Sequence, residues 1–282
     1  MGVTPRRLAE LPKATADEVY GRLAGRRPAV FLDYDGTLTP IVDRPEDAVI
    51  SESMREAVRR LAEVCPVCVV SGRDRRVVQE LMGVDSLIVA GSHGFDIWSP
   101  SGGAIERQEG GEFLDLLAEV RARLDRELAS IKGALVEPKS NSVAAHYRLV
   151  AEEERPRVKE VVDNVLAEHR GKLKITPGKM VYEIQPNIDW DKGKAVLYLL
   201  EALGLDRDDV VPIYMGDDTT DEDAFKALAG RGLGVFVGRA DDPEVAGRLT
   251  YADYILDSME EVEGFLDLLT DYAKSGRAAG PA

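Results

Sequence analysis

The stretch Val30-Phe31-Leu32-Asp33-Tyr34-Asp35-Gly36-Thr37-Leu38 decides how this chain is read. Pro28 to Leu32 is an apolar run bounded by Arg26-Arg27 before it and Gly36 after it, which predicts a short buried strand. That strand ends in two carboxylates. Two acids at the end of a buried strand call for a cation or a ligand beside them. Open α/β sheets bind ligands at the carboxyl ends of their strands. Asp33 and Asp35 are two positions apart and so share one side of an extended backbone. Gly36 then lets the chain turn sharply without a Cβ penalty. Taken alone, Asp-x-Asp would be an acidic turn after a strand.

Further strands end in polar clusters of the same kind. Val67–Val70 runs into Ser71-Gly72-Arg73, which offers a hydroxyl, a glycine that lets backbone N–H groups approach an anion, and a guanidinium suited to bidentate phosphate contacts. Ser-Gly by itself is also an ordinary turn. Leu87–Ala90 runs into Gly91-Ser92-His93-Gly94. His93 is one of only three histidines, and it reads either as a site group or as a loop imidazole bonded to backbone. Val210–Met215 runs into Gly216-Asp217-Asp218-Thr219-Thr220-Asp221-Glu222-Asp223, five acids in seven positions. Thr220 as the cap of a helix from Asp221 to Ala229 would account for the later acids, because acids favour a first turn. Asp217 and Asp218 precede that cap and need a cation. Between these clusters, Asp191-Lys192-Gly193 opens a helix to about Leu203; a lysine there opposes the helix dipole, which favours a functional anchor over a cap. Helical periodicity places further helices at Ala16–Ala24, Ser53–Val64, Asp74–Met82 and Met259–Ala273, with Thr15 and Ser53 as capped starts. Leu233–Val237 and Asp253–Leu256 complete the strands. The alternation predicts a doubly wound, mainly parallel α/β core.

The pattern changes at Gly110-Gly111. A helix from Glu112 to Ile131 is followed by strands Ala134–Lys139 and Ser142–Val150, a helix Glu152–Glu168 and a strand Leu173–Gln185. This is a self-contained α+β insertion. The expected division is a core of 1–109 with 187–282 and an inserted unit of 110–186, hinged at Gly110-Gly111 and Pro186-Asn187. Its strands alternate. Met180, Tyr182 and Ile184 oppose Lys179 and Glu183; Val143, Ala145, Tyr147 and Leu149 oppose His146 and Arg148; Glu137 and Lys139 share one face. Mixed charges on such a face describe either a solvated sheet surface or a polyol-binding one.

Net charge is −15, from 36 Lys and Arg against 51 Asp and Glu. That argues against nucleic-acid and anionic-membrane partners but not against a small anion at a site with local cations. No apolar run has the length of a membrane span and no signal core opens the chain, so a cytoplasmic protein is expected. Cys65 and Cys68 stand three apart on a strand and so face opposite ways, unlike a redox pair. The tail from Ser275 reads as frayed.

The ordered set Asp33-x-Asp35-Gly36-Thr37, Ser71-Gly72-Arg73, Lys192 and Gly216-Asp217-Asp218-x-x-Asp221 resembles the four motifs of the haloacid dehalogenase superfamily of phosphohydrolases. The insertion resembles that superfamily's C2-type cap. A closer resemblance, through Asp-Tyr-Asp-Gly-Thr-Leu, Ser-Gly-Arg, Gly-Ser-His-Gly, Glu-x-Lys with His-Tyr-Arg, Gly-Lys-x-x-x-Glu, Asp-Lys-Gly and Gly-Asp-Asp-x-Thr-Asp-Glu-Asp-Ala-Phe, is to trehalose-6-phosphate phosphatases. The resemblance implies a small sugar phosphate as substrate and hydrolysis through an aspartyl-phosphate, with Asp33 as nucleophile and Asp35 as acid and base. It implies Mg²⁺ held by Asp33, Asp217 and the Asp35 carbonyl, with Asp218 and Asp221 around that shell, and Ser71 and Lys192 on the phosphoryl oxygens. Sugar contacts would come from Glu137, Lys139, Arg148, Lys179 and Glu183, with Arg73, His93 and Gly94 as further substrate-binding candidates. A monomer is expected. Phosphatases for sucrose phosphate or a glycosyl-phosphoglycerate, a phosphosugar mutase, and a non-catalytic relative of the same fold are the competing readings.

Overall fold

The structure is a computed structural model that describes residues 3–42, 44–100, 102, 107–108 and 111–275. Asp43, Ser101, residues 103–106, Glu109, the Gly110 hinge position and the tail 276–282 lie outside the described residues. The chain divides into two compact units, Met1–Arg107 with Asp191–Ala282, and Gln108–Trp190.

In chain order the elements are β1 (Arg6–Arg7), α1 (Ala16–Leu23), β2 (Arg27–Leu32), α2 (Glu52–Ala62), β3 (Val67–Val70), α3 (Arg75–Met82), β4 (Ile88–Gly91), β5 (Asp96–Trp98) and β6 (Arg107–Gln108). The second unit supplies α4 (Leu114–Leu128), β7 (Leu135–Pro138), β8 (Val143–His146), α5 (Arg155–Glu168), β9 (Leu173–Gly178) and β10 (Val181–Pro186). The first unit resumes with α6 (Lys192–Ala202), β11 (Val210–Gly216), α7 (Asp221–Leu228), β12 (Leu233–Val237), β13 (Leu249–Thr250), β14 (Tyr254–Leu256) and α8 (Met259–Lys274).

The first unit is built on an eight-stranded sheet in the order β14-β12-β11-β2-β3-β4-β5-β6. The pairs from β14 to β4 are parallel, and β4–β5 is antiparallel. Strands covered on both faces need apolar residues at every position, which is why β2, β3, β11 and β12 read as unbroken hydrophobic runs. On one face Val30, Leu32, Val67, Val69, Ile213 and Val235 pack with Met54, Leu61, Phe265 and Leu269 of α2 and α8. On the other, α6 and α7 pack together, and α7 lies against β11 and β12. The chain builds β2, β3 and β4 in one direction and then returns to the opposite side of β2 with β11. That reversal makes the carboxyl ends of β2 and β11 the switch point of the sheet.

The second unit is a four-stranded antiparallel sheet in the order β7-β8-β10-β9, with α4 and α5 on one face. Val143, Ala145, Ile184 and Leu173 form its core with Leu117, Leu124, Val158 and Val162.

Local structure departs from the sequence reading in five places, the first being Thr15, which holds the N-cap position of α1 but makes no side-chain cap bond. The single strand expected over Leu173–Gln185 is a hairpin, β9 and β10, turning through Lys179 and Met180, whose φ is 62°. The strand expected to Val150 ends at His146, so Arg148 stands in a turn. Helix α2 is capped by Ser51, whose hydroxyl accepts from Met54 N at 3.1 Å, rather than by Ser53. Thr220 is itself helical and makes no cap bond; the loop before α7 is held instead by acids.

Candidate active site

Four neighbouring strands, β11, β2, β3 and β4, deliver the polar clusters at adjacent carboxyl ends of one sheet. Asp33 follows β2, and its N–H still donates to Met215 O of β11 at 2.9 Å. Asp217 follows β11. Two glycines let the acids close in. A Cβ on Gly36, where φ is +78°, would lie 2.1 Å from Asp217 Oδ2, and one on Gly216 would lie 2.5 Å from Asp221 Oδ2. Without side chains at these two points, the carboxylates pack directly on backbone.

The centre is a buried chain of ion pairs. Lys192 Nζ donates to Asp33 Oδ1 at 2.9 Å and to Asp221 Oδ1 at 2.7 Å. Lys192 is the first residue of α6, capped by Asp191, whose side chain accepts from Lys194 N at 2.8 Å. The helix start reaches the site because Gly193 lies against the Asp223 carbonyl, where a Cβ would be at 2.4 Å. Tyr214 donates from its hydroxyl to Asp221 Oδ1 at 2.6 Å, while Asp221 Oδ2 accepts from the backbone N–H of Asp217 and of Asp218, both at 2.9 Å. Asp221 thus accepts four hydrogen bonds, about what a carboxylate can take.

Asp33, Asp217 and Asp221 each offer an oxygen within 4.8 Å of the others. Counted together with the Lys192 ammonium, these three carboxylates carry a net charge of −2 when all are ionised. At an effective dielectric near 20, two unit charges ~5 Å apart repel by about 3 kcal/mol. Burial accordingly pushes the Asp33 carboxyl well above its usual range, with Asp221 and Asp217 adding to the effect and Lys192 opposing it. Burial also acts to raise Asp221, but Lys192, Tyr214 and the loop amides outweigh it and hold that carboxyl low. Burial disfavours the Lys192 charge, yet its two carboxylates outweigh that and keep it protonated. A hard divalent cation fits this donor set, because converging carboxylate oxygens are what such ions require. Asp33 and Asp217 are the carboxylates suited to hold it, since Asp221 is committed to its four donors.

The remaining acids of the loop have other partners. Asp218 Oδ1 accepts from Thr219 N at 2.6 Å. Glu222 accepts from Tyr251 N at 2.9 Å and lies 3.4 Å from Arg248. Asp35 directs its carboxylate to Arg73, in a bidentate pair at 2.7 Å and 2.7 Å. Ser71 is buried, and its Oγ accepts from Arg73 N at 3.1 Å. His93 and Gly94 sit in a left-handed turn after β4, next to that loop.

In the second unit, the face of the sheet away from the helices carries a polar network. Glu137, Ala144, Glu183 and Thr176 stand opposite one another in one row across four strands. Glu183 accepts from Lys139 Nζ at 2.9 Å and from the Ser142 hydroxyl at 2.6 Å. Glu137 lies 2.7 Å from His146 Nε2. Burial would raise the Glu137 carboxyl, but His146 and Lys139 outweigh it and hold it low. Arg148 and Lys179 come together at the turns, where the guanidinium donates to the Lys179 carbonyl at 3.1 Å. The structure therefore gathers Glu137, Lys139 and Glu183 into one cluster and Arg148 with Lys179 into a second. Ser142, His146 and Tyr214 belong to these networks without having been singled out as site residues. Tyr214 carried a signal: a tyrosine inside an apolar strand needs a partner for its hydroxyl.

A mainly parallel sheet with this acid–lysine centre at its switch point, and an α+β insertion, defines a fold of the haloacid dehalogenase-like class; a haloacid dehalogenase-like hydrolase from Bacteroides thetaiotaomicron shares it, with a TM-score of 0.60 at 17% identity, over 86% of this chain and 99% of that one. The family model described as trehalose-phosphatase matches residues 31–255, and the chain belongs to that family of phosphoric monoester hydrolases. It is similar to trehalose 6-phosphate phosphatase RA3 of Zea mays, with 42% identity over 95% of this chain and 80% of that protein. The C-terminal domain of the C. albicans trehalose-6-phosphate phosphatase has the same fold, with a TM-score of 0.77 at 22% identity, over 93% of this chain and 98% of that one.

Proposed function

We propose that this protein hydrolyses trehalose 6-phosphate to trehalose and phosphate, through an aspartyl-phosphate on Asp33 and with Mg²⁺ as cofactor. The observation that carries the reading is the Asp221–Lys192–Asp33 chain, buried beside Asp217 in a member of the trehalose-phosphatase family. Asp33 attacks phosphorus through a carboxylate oxygen, the P–O ester bond breaks, and Asp35 protonates the departing sugar oxygen. Asp35 then takes a proton from a water that attacks the phosphorus of the aspartyl-phosphate, which frees phosphate and restores Asp33. Ser71 and Lys192 bind the phosphoryl oxygens. Arg73 holds Asp35 in place before the ester arrives. Asp221 and Tyr214 keep Lys192 charged and aimed. Mg²⁺, held by the Asp33 and Asp217 carboxylates with the Asp35 carbonyl, would neutralise charge on the transferring phosphoryl group.

Sugar recognition is assigned to the polar face of the inserted unit, where carboxylates, lysines and hydroxyls offer the donors and acceptors a disaccharide needs. A phosphate-release panel tests the reading, with trehalose 6-phosphate, sucrose phosphate, a glycosyl-phosphoglycerate and p-nitrophenyl phosphate, each with Mg²⁺ and with EDTA. Trehalose 6-phosphate is expected to be the preferred ester, and EDTA to abolish release. Preference for another sugar phosphate overturns the substrate; full activity in EDTA overturns the cofactor. Asp33→Asn is expected to bind substrate and release no phosphate.

A further inference from the structure

We propose that His93 is a positioning residue for the loop Ser71-Gly72-Arg73, a fixed wedge against Gly72 that sets where the phosphate-contacting groups stand. The inference rests on the phosphatase reading above and concerns a different residue from those that carry it.

Three successive residues, Ser92, His93 and Gly94, have φ values of 51°, 56° and 90°. Two of them are not glycine, and left-handed backbone at such residues persists only where the surroundings over-determine it. Here they do. Ser92 N donates to Arg73 O at 2.7 Å, His93 N donates to Ser71 O at 2.8 Å, and the Ser92 hydroxyl donates to Asp74 Oδ1 at 3.2 Å. Ser71 N in turn donates to Ala90 O at 2.9 Å, continuing the β3–β4 ladder. The turn after β4 is therefore tied residue by residue to the loop after β3. It drives the His93 ring, which is 8% exposed, onto Gly72. A Cβ on Gly72 would lie 2.8 Å from His93 Cε1 and 2.9 Å from Nε2. On either side of Gly72 stand Ser71 and Arg73, the latter clamped on Asp35. A shift of Gly72 moves all three.

A contact this close makes a steric test possible. Gly72 does not have a left-handed φ, so alanine suits its backbone, and the obstacle named by the geometry is the imidazole. That ring is buried and its main chain is tied down, so it has little freedom to step aside. Full-length Gly72→Ala, His93→Ala, His93→Asn and the double variant Gly72→Ala/His93→Ala are compared, with melting temperatures to show that each is folded. Asparagine is included because it tolerates left-handed backbone. A misplacement near 1 Å at a catalytic loop costs about 100-fold in rate. Gly72→Ala is accordingly expected to lose about that in kcat/KM, equally on trehalose 6-phosphate and on p-nitrophenyl phosphate. The double variant should regain about tenfold over Gly72→Ala, the size of coupling expected of residues in contact. Inorganic phosphate, titrated calorimetrically, should weaken and recover in parallel.

Additive losses in the double variant, or an unaffected Gly72→Ala, overturn the wedge. So does a His93→Asn loss confined to trehalose 6-phosphate, which would make His93 a sugar contact. Failure of the wild type to release phosphate from either ester would instead refute the phosphatase reading. The phosphate titration would then still report whether Gly72 and His93 are coupled.

Discussion

Tyr214 shows how much of this site depends on buried residues behind its charged groups. Its hydroxyl is one of four donors on Asp221, and the ring is fixed edge-on against Phe225 at 5.7 Å. Tyr214→Phe keeps that packing and removes one donor. A hydrogen bond to a charged group is worth roughly 1.5–3 kcal/mol, so urea unfolding should show a loss of about that size. Steady-state kinetics should show kcat down about tenfold with KM nearly unchanged, because Asp221 aims Lys192 and does not bind sugar. A raised KM with normal kcat would contradict that role. Gly36→Ala probes the other side of the centre. The substitution places a side chain at φ +78° and a Cβ 2.1 Å from Asp217 Oδ2, so the carboxylate must move. Left-handed backbone alone costs about 1–2 kcal/mol. The larger consequence is expected in the cation: Mg²⁺ binding followed calorimetrically should weaken at least tenfold, about 1.4 kcal/mol. Undiminished binding would remove Asp217 from the ion's ligands. At this scale the strand ends showed where acids gather, while a division of roles among those acids came only from the family resemblance. Asp217, Asp218, Asp221 and Glu222 are chemically alike and nearly adjacent, and only the donors around each one separate a ligand from a brace.

The elements of the core were legible because buried parallel strands leave a plain signal: short apolar runs, each ending in polar residues. The second unit was harder to read. Leu173, Ile175 and Pro177 are apolar at odd positions and Met180, Tyr182 and Ile184 at even ones, so the alternation changes phase inside the stretch that the single-strand reading ran together. The reversal rests on Gly178-Lys179-Met180, with Met180 left-handed; the turn signal was Pro177-Gly178, which the single-strand reading passed over. Within β7, β8 and β10 alternation assigned the faces correctly, while Leu149, read as inward, is exposed in the turn after β8. Glu137, Glu183 and His146 lie away from α4 and α5, as their spacing required, whereas Lys179 and Arg148 moved into turns. That arrangement yields a prediction for the sheet. Both oxygens of Glu183 are engaged, one by Lys139 and one by Ser142. Glu183→Ala removes the acceptor around which this polar row is arranged. Its KM for trehalose 6-phosphate should rise about tenfold, on the order of 1.4 kcal/mol, with p-nitrophenyl phosphate hydrolysis nearly unchanged. Equal losses on both esters would take sugar recognition away from this face.

Among the described residues, one hydrophobic core is closed by residues from both ends of the sequence and another is contained within Gln108–Trp190. Stability should follow that division. Leu124 is fully buried among Leu117, Leu128, Val158 and Val162, so Leu124→Ala leaves a cavity in the smaller core. Such truncations cost about 2–5 kcal/mol. In a two-state molecule every amide would feel that loss; with separable cores, only the unit that contains the cavity does. Hydrogen exchange should therefore quicken in α4, α5 and β7–β10 while β2, β3 and β11 keep their protection. Chemistry should divide in the same way. Asp33, Asp217, Asp221 and Lys192 are held by β2, β11, α7 and α6, none of which contributes to the smaller core. Leu124→Ala should accordingly retain most of its p-nitrophenyl phosphate turnover while losing efficiency on trehalose 6-phosphate. The chain re-enters the larger unit at Asp191, one residue before Lys192, so the result bears on more than bookkeeping of cores. If aryl phosphate turnover falls as steeply as sugar phosphate turnover, loosening of the insertion is reaching the lysine through that junction. The Asp191 cap on Lys194 would then be the next contact to remove.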